Sequence, residues 1–378
     1  MGMASVEHRR TDWFELFFDL VFVVTVAVLA QGLHGNPGWR DFGALAVLFF
    51  PAWWAWVNLM ISVNLFGSAQ LWNRVWLLAA MPGLGIMAAA APQGLDGRAW
   101  AYALGAAWVR LTIFAIWWPQ VRDPRWGIPA WRPISYGLLT AGLWALSALV
   151  PAPGRFVLWA LAVAVEVILL TIGRGQSRQQ YSQLAVDHLV ERIGLFVVIV
   201  LGESVFAVVM GLSEHFEAFN AVAALGSFVT VALLAITFFL WSTSAAQHWI
   251  GQAQQHDERA RMRDTVMYLP FLLIYTITIL AAALGTAVDE PDHHLPAGSV
   301  IGLTAGVVGY YLTSGLFSRR LGNSWRSMAS WLLPGILAPL AILPPAALLL
   351  PAWAAALTTA AVVFGLFAGS KLVTHRAR

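Results

Sequence analysis

The stretch RTDWFELFFDLVFVVTVAVLAQGL, Arg10–Leu33, decides the fold. From Trp13 onward its only ionisable residues are Glu15 and Asp19, and an apolar run of about 20 residues matches the hydrocarbon core of a bilayer when helical. A cleavable signal peptide does not fit, because the acids interrupt the run and its length exceeds an ordinary signal h-region, so the segment is expected to remain in the mature chain. The same pattern continues through all 378 residues, of which 59% are apolar and 11% charged, with a mean hydropathy of +0.71. A soluble domain has roughly 45–50% apolar and 25% charged residues, so this composition excludes one. Hydropathy marks twelve spans, at 13–33, 42–66, 75–91, 99–119, 134–150, 155–173, 193–213, 218–246, 265–287, 297–318, 328–349 and 352–371. The expected fold is all-α, a polytopic helical membrane protein forming a single integral membrane domain over 1–378.

That architecture leaves no room for a sizeable soluble module. There is no cysteine, which excludes disulfides and thiolate metal or redox sites, and the net charge of +3 is too small and scattered for a nucleic-acid partner. No phosphate-cradling glycine loop, Asp-rich diphosphate motif, serine nucleophile elbow or cytoplasmic ATPase module occurs, so ATP-driven transport and metal-dependent prenyl transfer are disfavoured. Of the 22 basic residues, Arg110 falls inside a span, and only Arg40, Arg98 and Arg155 lie in loops on the side opposite the amino terminus. The other 18 share the amino-terminal side, which by the positive-inside rule places both termini in the cytoplasm.

Two acid-bearing helices each lead, one span later, into an aromatic then polar run: ELFFDLVFV from Glu15 with WWAWVNLMIS from Trp53, and ERIGLFVVIVLGES from Glu191 with TFFLWSTSAAQ from Thr237. This suggests two parallel six-helix repeats, 13–173 and 188–373, an arrangement found among transporters. The eleventh span holds Pro334, Pro339, Pro344 and Pro345, which predicts a bent or broken helix.

An ionisable group inside a span costs a few kcal/mol and counts as a candidate functional residue. Glu203 sits about ten residues into its helix, near the midplane, with Arg110 and Glu166 at comparable depth. Depth permits an ion pair between Arg110 and either glutamate, Glu166 being preferred. Glu15 and Asp19, four apart, share one face of the first helix, so either one is protonated or a cation separates them, with Arg192 and Arg74 as available counter-charges. Asp19 and Glu203, on equivalent helices of the two repeats, are expected to face one another across a central cleft. His188 and Glu191 stand three apart, a spacing that could ligate a metal but reads more simply as an interfacial hydrogen-bonding pair; neither metal nor cofactor is expected. Thr237, Trp241, Ser244 and His248 follow helical spacing on the eighth span, Asn58 shares a face with Ser62 on the second, and Trp53 with Trp56 forms a candidate aromatic wall.

RTDWFELFFDLVFVVTVAVLAQGL, FFPAWWAWV from Phe49, and HLVERIGLFVVIVLGESV from His188 to Val205 together resemble the signature blocks of the bacterial low temperature requirement protein A family, and the resemblance covers most of the chain. It implies a polytopic bacterial membrane protein and carries no general biochemical activity. Family members typically follow the WWAWV block with Arg-Phe-Asp-Thr-Asp-Asp, where this chain reads LFGSAQ: Leu65 replaces the arginine, and Gly67, Ala69 and Gln70 replace the acids. The usual Tyr-Phe-Asp ending of the eighth span is here Trp241-Ser242-Thr243. Glu15, Asp19, His188, Glu191, Arg192 and Glu203 remain, so a shared function rests on the first and seventh spans.

Three readings follow. The first is a proton-linked carrier of a small or amphipathic molecule, with Asp19 and Glu203 exchanging protons. The second is a membrane-embedded enzyme on a lipid or isoprenoid, with a carboxylic acid donor and a Trp-lined cavity stabilising cationic intermediates. The third is a non-catalytic scaffold. The partners implied are the lipid bilayer and a small-molecule or lipid-like substrate; substrate identity and oligomeric state are not written in the sequence.

Overall fold

A computed structural model describes residues 13–67, 70–172, 184–241, 265 and 267–376, and these are helical or in short turns, with no strand among them. The helices are α1 (Trp13–Gln31), α2 (Trp39–Phe66), α3 (Leu71–Ala90), α4 (Ala99–Trp117), α5 (Thr140–Ser147), α6 (Gly154–Ile172), α7 (Val186–Glu214), α8 (Ala218–Trp241), α9 (Leu269–Asp289), α10 (Ala297–Arg320), α11 (Trp325–Leu349) and α12 (Ala352–Arg376). A helical turn at Trp131–Pro133 and a π-helical stretch, Ile134–Leu139, run directly into α5. Each hydropathy span thus meets a helix. Among the described residues nine helices are long and apolar enough to cross a membrane, and α1, α5 and α6 fall outside that set.

The chain divides into two compact units, Met1–Phe22 with Pro51–Ile193, and Val23–Phe50 with Gly194–Arg378. The cut falls inside α1, α2 and α7, so the units do not follow the chain's halves.

In the first unit α3 and α4 pack where two glycines meet. A Cβ on Gly105 would stand 2.6 Å from the Gly83 carbonyl oxygen, and one on Gly83 would press on Trp108 at 2.8 Å and Val109 at 2.9 Å. Helices in a bilayer gain little from hydrophobic exclusion, so van der Waals contact of this closeness is what joins them. Beyond α4, the buried rings of Tyr102, Trp144 and Trp159 pack with centroids 5.0–6.3 Å apart and tie α4, α5 and α6 together.

In the second unit the turn after α1 is stitched down by polar bonds. Gly35 N–H donates to Thr286 Oγ1 at 2.9 Å, Ser299 Oγ donates to Gly35 O at 2.6 Å, and Gly298 N–H donates to Asn36 Oδ1 at 2.9 Å. The proline-rich span, expected bent or broken, is not broken: α11 runs through Pro334, Pro339, Pro344 and Pro345 without a gap. Each interior proline gives up its own N–H bond and crowds the carbonyl one turn back, yet the helix stays continuous, and the buried residues Met328, Leu332, Gly335, Pro339, Leu343 and Ala347 keep one stripe along it.

The glycine contact yields a test. Gly105→Ala forces the α3–α4 crossing apart and lowers stability by about 1–3 kcal/mol, the usual cost of overpacking, read as a drop in thermal midpoint in detergent. Gly85→Ala, whose added Cβ meets nothing within 4 Å, leaves stability unchanged or raises it by about 0.5–1 kcal/mol.

Candidate functional site

In the first unit the buried stretch of α2 presents two polar faces, because residues three to four apart on a helix align. One face carries Trp53, Trp56 and Asn64; the other carries Trp54, Asn58 and Ser62. Each face organises a cluster.

On the first face, α1, α2 and α7 bring Glu15, Asp19, His188 and Arg192 together, all at most 2% exposed. Glu15 and Asp19 are one turn apart on α1, and His188 and Arg192 one turn apart on α7, so two pairs of i, i+4 side chains oppose one another. Arg192 Nη2 donates to Asp19 Oδ1 at 2.5 Å, and Arg192 Nη1 lies 3.8 Å from Glu15 Oε2. His188 Nε2 is 2.8 Å from the same Glu15 oxygen. Of the two arrangements their spacing allows, a shared proton or an intervening cation, the guanidinium supplies the cation. The indole N–H of Trp56 donates to Asp19 Oδ1 at 2.8 Å, while the Trp56 ring packs 5.8 Å from the Arg192 guanidinium carbon and 4.9 Å from the Trp53 ring. Asp19 Oδ2 is buried and makes no hydrogen bond to a described residue.

Asn64, which no motif singles out, completes this cluster. Its Nδ2 is 3.1 Å from His188 Nδ1 and donates to Ala185 O at 3.0 Å, while its Oδ1 accepts from Ala185 N–H at 2.9 Å. The available signal was its place eleven residues after Trp53, three helical turns along the same face.

On the other face Arg110 of α4 and Glu166 of α6 form the expected pair. Arg110 Nε and Nη2 donate to the two carboxylate oxygens of Glu166 at 2.9 and 3.3 Å, and both residues are 1% exposed. Arg110 also donates to Pro51 O at 3.3 Å and lies 5.3 Å from the Trp144 ring centroid. The π-helical stretch delivers Tyr136, whose hydroxyl accepts the Trp54 indole N–H at 2.8 Å. A π-helix widens the turn and re-aims the side chain, a device frequent at functional positions. Asn58 and Ser62 bond backward along α2, Asn58 Nδ2 to Trp54 O at 2.7 Å and Ser62 Oγ to Asn58 O at 2.6 Å, and Trp117 donates to Ser62 Oγ at 2.7 Å.

Glu191 is exposed: one position short of Arg192, it turns about 100° away from the buried face. No group of three or more metal-ligating side chains exists among the described residues. Glu203 belongs to the second unit and is half-buried, with neighbouring Ser204 bonded back to Val200 O. Thr237, also in that unit, donates its hydroxyl to Leu233 O at 2.7 Å, a local bond of its own helix. Ser244 and His248 lie outside the described residues, as does the side chain of Trp241.

Apolar helices of spanning length enclosing two buried charge clusters define a multi-pass membrane protein. The chain belongs to the bacterial low temperature requirement A protein family, whose model matches residues 10–368. A protein of Rhizobium meliloti (strain 1021), described only as uncharacterized, is 26% identical over 295 residues, covering 76% of this chain and 70% of that relative.

The Arg110–Glu166 pair is testable by substitution. Arg110→Met or Glu166→Met alone strands a buried charge and costs about 3–5 kcal/mol of stability, whereas the double Met variant recovers most of that loss. Thermal unfolding and folded yield of the three variants measure it.

Proposed function

We propose that this protein is a proton-linked carrier of a small or amphipathic molecule, with the Glu15–Asp19–His188–Arg192 cluster as its proton-exchanging site. One observation supports this reading above the others: a single buried guanidinium, Arg192, faces two buried carboxylates, Glu15 and Asp19. Two carboxylates held away from water beside one guanidinium are groups on which a proton changes the local charge, and a site alternating between protonated and ionised states is what proton coupling requires. Glu203, half-buried on the same helix as His188 and Arg192, is the second proton-carrying group in this reading. Twelve crossings and cytoplasmic termini, supported by the hydropathy spans and the distribution of basic residues, and two parallel six-helix repeats, supported by the paired acid-bearing and aromatic runs, complete the proposed architecture.

The alternative, an enzyme using aromatic faces to stabilise cationic intermediates, is less well supported at this cluster. Trp56 already gives its N–H to Asp19, and its ring meets Arg192 and Trp53. A cationic substrate would have to displace the protein's own cation.

Proteoliposomes loaded with a pH-sensitive dye and challenged with a bacterial small-molecule extract test the reading. The wild type gives a proton flux coupled to solute entry, and Asp19→Asn abolishes it while eluting as a folded protein, since the amide keeps the shape and removes the charge. An unchanged flux in Asp19→Asn overturns the reading. No flux with the wild type, together with new lipid products in the extract, moves the assignment to the enzyme; no flux and no product moves it to the scaffold. Protease protection of tags on the two ends checks the topology, with both expected on the cytoplasmic side.

A further inference from the structure

We infer that the tryptophan-lined groove between α3 and α4 is a binding site for one acyl chain of an anionic phospholipid, whose headgroup is held by Arg122 at the groove's mouth. The site lies wholly in the first unit, goes beyond the proton-exchange reading and does not depend on it.

Helical spacing builds the groove. Trp72 and Trp76 are one turn apart on α3, and Trp108, Leu111, Ala115 and Trp118 follow at intervals of three and four residues along α4 into the short helix Trp118–Arg122. The two faces border a cavity of ≈ 380 Å³, within the size range of small-molecule sites. The cavity is open to the outside, with Trp72, Trp108 and Trp118 exposed by 49%, 43% and 38%. Its deep end is closed at the glycine crossing, since Trp108 stands against Gly83.

The lining selects for hydrocarbon. The indole N–H of Trp72 donates to Ala115 O at 2.9 Å, that of Trp108 donates to Ala79 O at 2.5 Å, and the Trp76 nitrogen is buried. These three indoles therefore offer ring carbon to an occupant and keep their polar atoms away from it. A sugar, a nucleotide or a quinone head finds none of these donors free to meet it, whereas a methylene chain requires none. The walls brace themselves: the Trp72 and Trp76 rings meet at 5.7 Å and the Phe114 and Trp118 rings at 5.3 Å.

Length and charge name the hydrocarbon. Trp108 is the middle residue of α4, and Trp118 opens the turn that follows it. The ten residues between them span about 15 Å of helix, half of the roughly 30 Å hydrocarbon core. The groove thus runs from the bilayer centre to one surface, the reach of an acyl chain in a single leaflet. Lipid tails are as apolar as leucine, so exclusion from water gives such a chain no preference for the groove. Contact with fixed rings and charge at the mouth supply the preference instead. Arg122, four residues past Trp118, is exposed and makes no hydrogen bond or ion pair with a described residue, whereas Arg125 is answered by Asp123 at 2.6 Å. A headgroup of net negative charge answers Arg122; a zwitterionic one brings a cation of its own and answers it less.

Native mass spectrometry of the full chain in detergent, titrated with long-chain phosphatidylglycerol, tests this. The wild type is expected to hold one lipid tightly. Affinity falls about fivefold when phosphatidylcholine with the same chains replaces it, and by a similar factor for phosphatidylglycerol in Arg122→Gln. Ala115→Phe, which fills the groove, abolishes binding, while Trp100→Leu, an exposed tryptophan near the other end of α4, leaves it unchanged. Equal affinity for the two lipids, or unaltered binding in Ala115→Phe, overturns the inference. Should Ala115→Phe fail to fold, phosphatidylglycerol carrying a photoactivatable group in its chain decides the matter on the wild type. Crosslinks concentrated on residues 72–76 and 108–118 support the site, and labels spread evenly over the exposed helix faces overturn it.

Discussion

A guanidinium taken out of water must be answered by negative charge at hydrogen-bonding distance, because its isolated burial costs far more than a helical bundle gains from any one contact. In the first unit two such guanidinia, Arg192 and Arg110, lie at most 1% exposed, and the surrounding helices are placed so as to answer them. Arg192 requires α1 to bring Glu15 and Asp19 to the start of α7; Arg110 requires α6 to bring Glu166 against α4. The apolar surfaces of these helices are interchangeable in chemistry, since lipid and leucine are alike to them. The charges specify which helix goes beside which.

The two clusters use the same components to different ends. Arg110 and Glu166 form a one-to-one pair with two parallel bonds, closed by the Pro51 carbonyl and the Trp144 ring, and the pair is electrically neutral. It has the properties of a clamp that holds helices in register. The Arg192 cluster sets two carboxylates beside one guanidinium and an imidazole 3.1 Å from the Asn64 amide, and Asp19 Oδ2 there is buried without a hydrogen bond to a described residue. A buried carboxylate oxygen without a hydrogen bond is a place where a proton has energetic consequences, and this difference separates the proposed functional reading of one cluster from the structural reading of the other.

The absence of the family's acidic run after α2 bears on the same point. Gly67 and Gln70 stand where relatives typically carry acids, so the charge of this end of α2 is reduced. What the chain retains is the part that converges on Arg192. On the proposed reading, chemistry shared with the family rests on α1 and α7 in this member.

Composition and hydropathy determined the class of this protein and the approximate place of its helices, because a bilayer imposes a length and an apolarity on every segment that crosses it. The sequence also determined that Glu15 and Asp19 need either a proton or a cation between them, since two carboxylates one turn apart repel wherever they are buried, and that Arg110 needs a carboxylate at its own depth. It did not determine that Asn64 belongs to the site, because a single amide in an apolar span reads equally as glue between helices until its neighbours are known. Nor did it determine that Glu191 turns away from its neighbour Arg192, or that a run of four prolines would leave α11 unbroken. Those depend on rotation about helix axes and on which surfaces meet. Only the tertiary structure decides them, since hydropathy fixes how deep a residue lies and leaves open which way it faces.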